Sequence, residues 1–170
     1  LFYDNRLGNP GANLATSCRT CHVTPEASGN QRRWADKLPL SVMPANDRGS
    51  KLETPRNTPS LQDAVLETSF PSDGQFTSLA AYLQHKLTSE HMGWRPGESD
   101  QAKKEIQALL LNDDGTDPLA EGTYSAQFVT VKSLDVAKLS PDEAMNAVVA
   151  AITAYLGTAV TYKAAGYDAV

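Results

Sequence analysis

Apolar positions along this chain cluster into a few short periodic runs. After Ser140 they fall at Ala144, Val148, Ala151, Ile152 and Tyr155, a spacing that predicts one amphipathic helix reaching about Leu156. Ser140-Pro141-Asp142-Glu143 is a helix start. The serine accepts from the first free N–H groups, the proline sits where no N–H is needed, and the glutamate completes a capping box. Leu79, Tyr82 and Leu83 share a face behind Ser78, which predicts a helix over 78–87. Ile106, Leu109 and Leu110 predict a second over 100–111, with Asp100 as N-cap and Asn112-Asp113-Asp114-Gly115 as its end. A short helix is expected over 60–66 and a turn at Pro71-Ser72-Asp73-Gly74.

Between these runs the pattern is polar. Residues 1–33 read as an irregular entry segment, and 34–60, rich in Pro, Asn, Asp and Gly, as a long structured loop. Loops of that length are usually functional or wrapped around something. No internal repeat is present. Asp113, Asp114 and Asp117 do not fall in the register of a calcium-binding EF-hand, so this cluster is expected to be a helix-ending turn. The fold class is therefore mostly α with long irregular loops, in a single domain over 1–170.

Composition changes this picture in three ways. Aromatic residues make up only 7% of the chain, so a large cofactor would supply core volume that rings otherwise fill. The net charge of −5 argues against nucleic acid, whose partners carry a basic stripe. It permits an acidic docking face for a basic partner, although ordinary solubility accounts for it more simply. Finally, no apolar run is long enough to span a bilayer.

The chemistry is concentrated in Cys18-Arg19-Thr20-Cys21-His22. This is C-x-x-C-H, the attachment pattern of a c-type haem. Two thiols at this spacing add to the two vinyl groups of one porphyrin, and the adjacent imidazole becomes the proximal iron ligand. The chain has no other cysteine. A redox dithiol would expect a strand before the motif and a helix after it, but Asn9-Pro10-Gly11 and Pro25-Glu26-Ala27-Ser28-Gly29 are loop-like. A structural zinc site would need two further ligands in a second cluster, and only His85 and His91 remain as histidines. One covalent haem c held by Cys18, Cys21 and His22 is the expectation. Haem c attachment takes place outside the cytoplasm, so a periplasmic location and a cleaved export signal absent from this chain are expected.

The flanks of the motif carry a resemblance. Leu1-Phe2-Tyr3-Asp4-Asn5-Arg6-Leu7, Ser17 to His22, Leu38-Pro39-Leu40-Ser41-Val42 and Arg56-Asn57-Thr58-Pro59-Ser60-Leu61 resemble the N-terminal haem domain of di-haem cytochrome c peroxidases. Asp73-Gly74-Gln75 followed by Ser78-Leu79 is similar to that family's Trp-Asp-Gly-Arg segment. Ala151 to Tyr155 and Gly166-Tyr167-Asp168 resemble the domain's closing helix and tail. The resemblance implies a cytochrome c-like haem domain, with a second haem domain or subunit as its natural companion.

Departures from the family pattern bear on function. Ser72 stands where the family has the Trp between its two haems, Gln75 where it has Arg, and Tyr82 where it has Gln. An ungapped count puts Met92 at the family's catalytic Glu; a slip of one or two places puts His91 or Glu90 there. Peroxide cleavage needs an open iron site with a proton shuttle beside it, and a thioether has no titratable proton. A Met over the iron instead gives the His/Met ligation of electron carriers. Met92 is thus the leading sixth-ligand candidate, followed by His91 and Met43, with His85 and Met145 also available.

Arg56, and after it Arg32, Arg33 and Arg48, are candidates to pair with haem propionates. Trp34 and Trp94 are expected to pack against the porphyrin. The function expected is a mono-haem electron-transfer protein with a redox partner protein. The alternative is a peroxidase-like or side-chain-oxidising haem domain acting with a second haem.

Overall fold

The computed structural model describes residues 1–12, 15–22, 42–43, 52–53, 58–71, 74–116 and 122–160. Among these it is mostly helical. Five α-helices follow one another: α1 Cys18–Cys21, α2 Leu79–Leu87, α3 Ser99–Asn112, α4 Tyr124–Lys132 and α5 Pro141–Leu156. Short 3-10 turns lie at Asn5–Leu7, Ala64–Leu66, Glu90–Met92, Val136–Lys138 and Gly157–Ala159. Two two-residue strands, β1 Val42–Met43 and β2 Leu52–Glu53, pair antiparallel with Met43 opposite Leu52. They fall inside the stretch expected to be a long loop, and β1 runs beside the Glu90–Met92 turn.

Helix α5 is the centre of the packing, with α3 and α2 laid against it. Its start follows the expected chemistry: Ser140 Oγ accepts from the Glu143 N–H at 3.3 Å, and Glu143 Oε2 accepts from the Ser140 N–H at 2.8 Å. Met145, Val148, Ile152 and Leu156 point into the core, where Ala102, Ile106 and Leu110 of α3 and Leu87 of α2 meet them. Gln84 donates to Asn146 at 2.6 Å and Lys103 pairs with Asp142 at 2.8 Å, tying the outer edges of these helices.

Some boundaries differ from expectation. Helix α3 begins at Ser99 and not at Asp100, with Glu98 in the cap position. Glu98 instead accepts from the Arg95 N–H at 2.7 Å, and Asp100 contributes its charge to the first turn, where it complements the helix dipole. The helix expected over 60–66 is only the 3-10 turn Ala64–Leu66, because Asp63 is left-handed (φ +60) and cannot continue a helix. The turn at Pro71 is present: the Gly74 N–H donates to the Pro71 carbonyl at 2.8 Å. Phe70 and Phe76 close it by exchanging backbone hydrogen bonds. Helix α4 is an element the sequence reading did not anticipate.

The amino-terminal segment is fastened to the later helices. Arg6 Nη2 lies 2.7 Å from Asp4 Oδ2 and 2.9 Å from Asp113 Oδ1. Tyr124 donates from its hydroxyl to Asp4 Oδ2 and from its N–H to Asp113 Oδ2, both at 2.8 Å. The Tyr3 and Tyr155 hydroxyls are 2.7 Å apart. No helix among the described residues is long and apolar enough to cross a membrane.

Candidate functional site

The C-x-x-C-H stretch forms the single turn α1, which places Cys18 and Cys21 on the same side, one turn apart. Ser17 starts it with its N–H donating to Thr20 Oγ1 at 3.0 Å. His22 leaves the turn in an extended conformation, its N–H still donating to the Cys18 carbonyl at 2.9 Å. Cys18 packs against the main core, and burial pushes its thiol up to about 12. Arg19, between the two cysteines, lies over the Tyr3 ring at 5.8 Å. The approach to α1 is tight: Thr16 and Ser17 are buried, and a Cβ on Gly8 would come within 3.0 Å of the Thr16 carbonyl oxygen.

The candidates for the sixth position sort clearly by environment. Of the three residues of the Glu90–Met92 turn, Met92 is buried, in the same core against which Cys18 packs. Glu90 is exposed. His91 is partly buried but turned aside, its Nε2 3.1 Å from Lys86 Nζ and its Nδ1 3.2 Å from Ser89 Oγ. Burial, with the Lys86 and His85 charges, pushes His91 down to about 4. His85 is exposed on α2, its ring 5.1 Å from that of Phe76. Tyr82 stacks on Phe70 at 5.8 Å, with Lys86 over its ring at 5.2 Å. Met145 is fully buried on α5 among core side chains. Met43 lies in β1, beside the Met92 turn.

Asn9 ties the entry segment to the Met92 turn. Its N–H donates to the Met92 carbonyl at 2.8 Å, and its Nδ2 donates to the Gly93 carbonyl at 2.9 Å. Its Oδ1 accepts from the Gly11 N–H at 2.8 Å. Gly93 ends the turn at φ +80, a conformation suited to glycine. Sequence reasoning missed Asn9, which it read only as part of a loop; an Asn before Pro-Gly marks a turn but not its distant partner.

Arg56, Arg32, Arg33, Arg48 and Trp34 lie outside the described residues, as do Ser72, Asp73 and Gly166 to Asp168. Trp94 is buried in the core.

The donor set fits a haem c. Two thiols stand on one side of a helical turn, with an imidazole directly after it. A haem needs that separation, since the thiols bond the porphyrin edge and the imidazole bonds the iron. Among the described residues three buried polar side-chain atoms lack a hydrogen-bond partner: Thr153 Oγ1 on α5, and the pair Ser17 Oγ and Trp94 Nε1. Of that pair, one directly precedes Cys18 and the other follows Met92 by two residues. Unmade hydrogen bonds of this kind are costly, and a bound group carrying carboxylates offers acceptors for them.

The family profile described as di-haem cytochrome c peroxidase matches residues 1–170. No curated protein and no solved structure matches the chain.

Proposed function

Because the chain belongs to the di-haem cytochrome c peroxidase family, and so to haem-based redox proteins, we propose that it is a periplasmic one-electron carrier. Cys18 and Cys21 hold one haem c covalently, His22 is the proximal ligand and Met92 the sixth. Arg56 is the first choice to pair with a propionate. The bound haem supplies reversible one-electron exchange, and His/Met ligation raises its potential.

The observation that carries this reading is the sorting of the 90–92 turn. Its buried side chain is a thioether, while Glu90 is exposed and His91 is directed to Lys86 and Ser89. An acid–base group poised for peroxide would have to be a buried carboxylate or imidazole aimed at the site. The role of this chain's residues is then to hold and shield: Cys18 and Cys21 would fix the macrocycle through thioether bonds, and His22 and Met92 would hold the iron. The expected partner is a redox protein, another haem subunit included, since domains of this family work with a second haem domain.

The family itself favours a second reading, a peroxidase-like or side-chain-oxidising domain with an exchangeable sixth position. Optical spectra of the wild type and of Met92→Ala separate the two. The carrier reading expects a low-spin ferric spectrum with the far-red band of Met-to-iron ligation, lost in Met92→Ala and kept in a Met145→Leu control. A high-spin wild type that reacts rapidly with peroxide would replace it with the second reading. A low-spin spectrum without the band would move the sixth ligand to His91 or Met43.

A further inference from the structure

Residues 8 and 9 form a bracket between the two sides of the site. On one side the Gly8 backbone abuts Thr16, two residues before Cys18, so closely that a Cβ there would meet the Thr16 carbonyl oxygen at 3.0 Å and require Thr16 to give way slightly. On the other side Asn9 grips the Met92-Gly93 peptide through two hydrogen bonds, one from the backbone and one from the side chain. The Asn9 side chain is itself held by the Gly11 N–H on its Oδ1. This orients the amide so that Nδ2 faces the Gly93 carbonyl.

We propose that Asn9 is a positioning residue for the sixth ligand: it sets the place of Met92 relative to the haem-bearing turn α1. The proposal rests on the reading of Met92 as that ligand. The mechanical argument is independent of any charge. The Met92 turn is a single 3-10 turn ended by a glycine, and such an element is weakly fixed by its own hydrogen bonds. A thioether bond to iron is soft and readily displaced, so its occupancy depends on how firmly the backbone presents the sulfur.

Asn9→Asp removes the side-chain donor and sets a carboxylate oxygen against the Gly93 carbonyl, while Asn9→Ser changes the donor without adding charge. The carboxylate still accepts from the Gly11 N–H and the backbone donor to Met92 is untouched, but the donor to Gly93 is gone. Two readings are taken on the holoprotein: the far-red band of the ferric form, and the rate at which cyanide displaces the sixth ligand. The expected result is a weaker band and displacement faster by roughly three- to tenfold, the equivalent of one lost hydrogen bond. Asn9→Ser, which keeps a shorter donor, should fall between the two.

An unchanged band and cyanide rate in Asn9→Asp, with both properties altered in Met92→Ala, overturns the positioning role and leaves the ligand assignment standing. A lowered melting temperature with unchanged band and rate also overturns it, because the contact is then merely structural. If Met92→Ala leaves the wild-type spectrum unaltered, the ligand assignment fails and the positioning role falls with it.

Discussion

A carboxylate as enclosed as Asp4 keeps its charge because donors converge on it. Burial alone would raise its pKa; the Arg6 side chain and N–H and the Tyr124 hydroxyl outweigh this and hold it below the ordinary value. Arg6, hydrogen-bonded to Asp4 and Asp113, is correspondingly held in its charged form. A depressed carboxylate stabilises the fold fully above the unfolded-state pKa of about 4 and loses that contribution as pH falls through the lower folded value. Urea unfolding followed from pH 7 down to pH 3 should therefore show an acid limb that Asp4→Asn flattens. Tyr124→Phe should cost about 1.5–3 kcal/mol at pH 7, the range for a hydrogen bond to a charged group, and less once Asp4 is protonated. None of this network was visible in the sequence, because Arg6 and Asp113 are joined by no spacing rule. Cys18, Cys21 and His22 were legible because their chemistry is compressed into five adjacent positions.

Among the elements, legibility followed the strength of local signals. Helix α5 has its cap, proline and period in agreement, and its boundaries match the reading closely. Helix α4 escaped because Phe128, Val129 and Val131 do not keep one face: Phe128 is buried while Val129 and Val131 are exposed. Its β-branched residues also suggest a strand as readily as a helix. The signal available was Thr123, whose Oγ1 accepts from the Ala126 N–H at 3.2 Å after the left-handed Gly122. The capping box of α5 is partly exposed, so its value is that of a typical cap. Ser140→Ala should lower stability by about 1 kcal/mol in urea titration without changing the haem spectrum. Loss of the spectrum at that cost would mean that α5 bears on the haem more directly than its packing indicates.

At the scale of the whole molecule, the core joins the two ends of the described chain. Phe2 and Leu7 sit in one cluster with Val148, Ile152 and Leu156, and Phe2 packs on Tyr155 at 5.0 Å between ring centres. Cys18 lies against this cluster, and a thiol pushed up to about 12 is almost entirely un-ionised at neutral pH. In a haem-free preparation, iodoacetamide should therefore label Cys18 slowly in buffer and much faster in denaturing urea, as read by mass spectrometry. Equal rates in both would show that the thiol is open in the folded chain.

The clasp formed by Tyr3, Asp4 and Arg6 with Tyr155, Tyr124 and Asp113 also sets an order of events. A chain made from its amino end holds the first half of this clasp long before the second, which lies more than a hundred positions later. Contacts so distant in sequence form slowly, since the intervening chain must first be brought to a close. Until the later helices are present, Cys18 has no core to pack against. The clasp is therefore a late contact, and the enclosure of Cys18 waits for the carboxy-terminal helices.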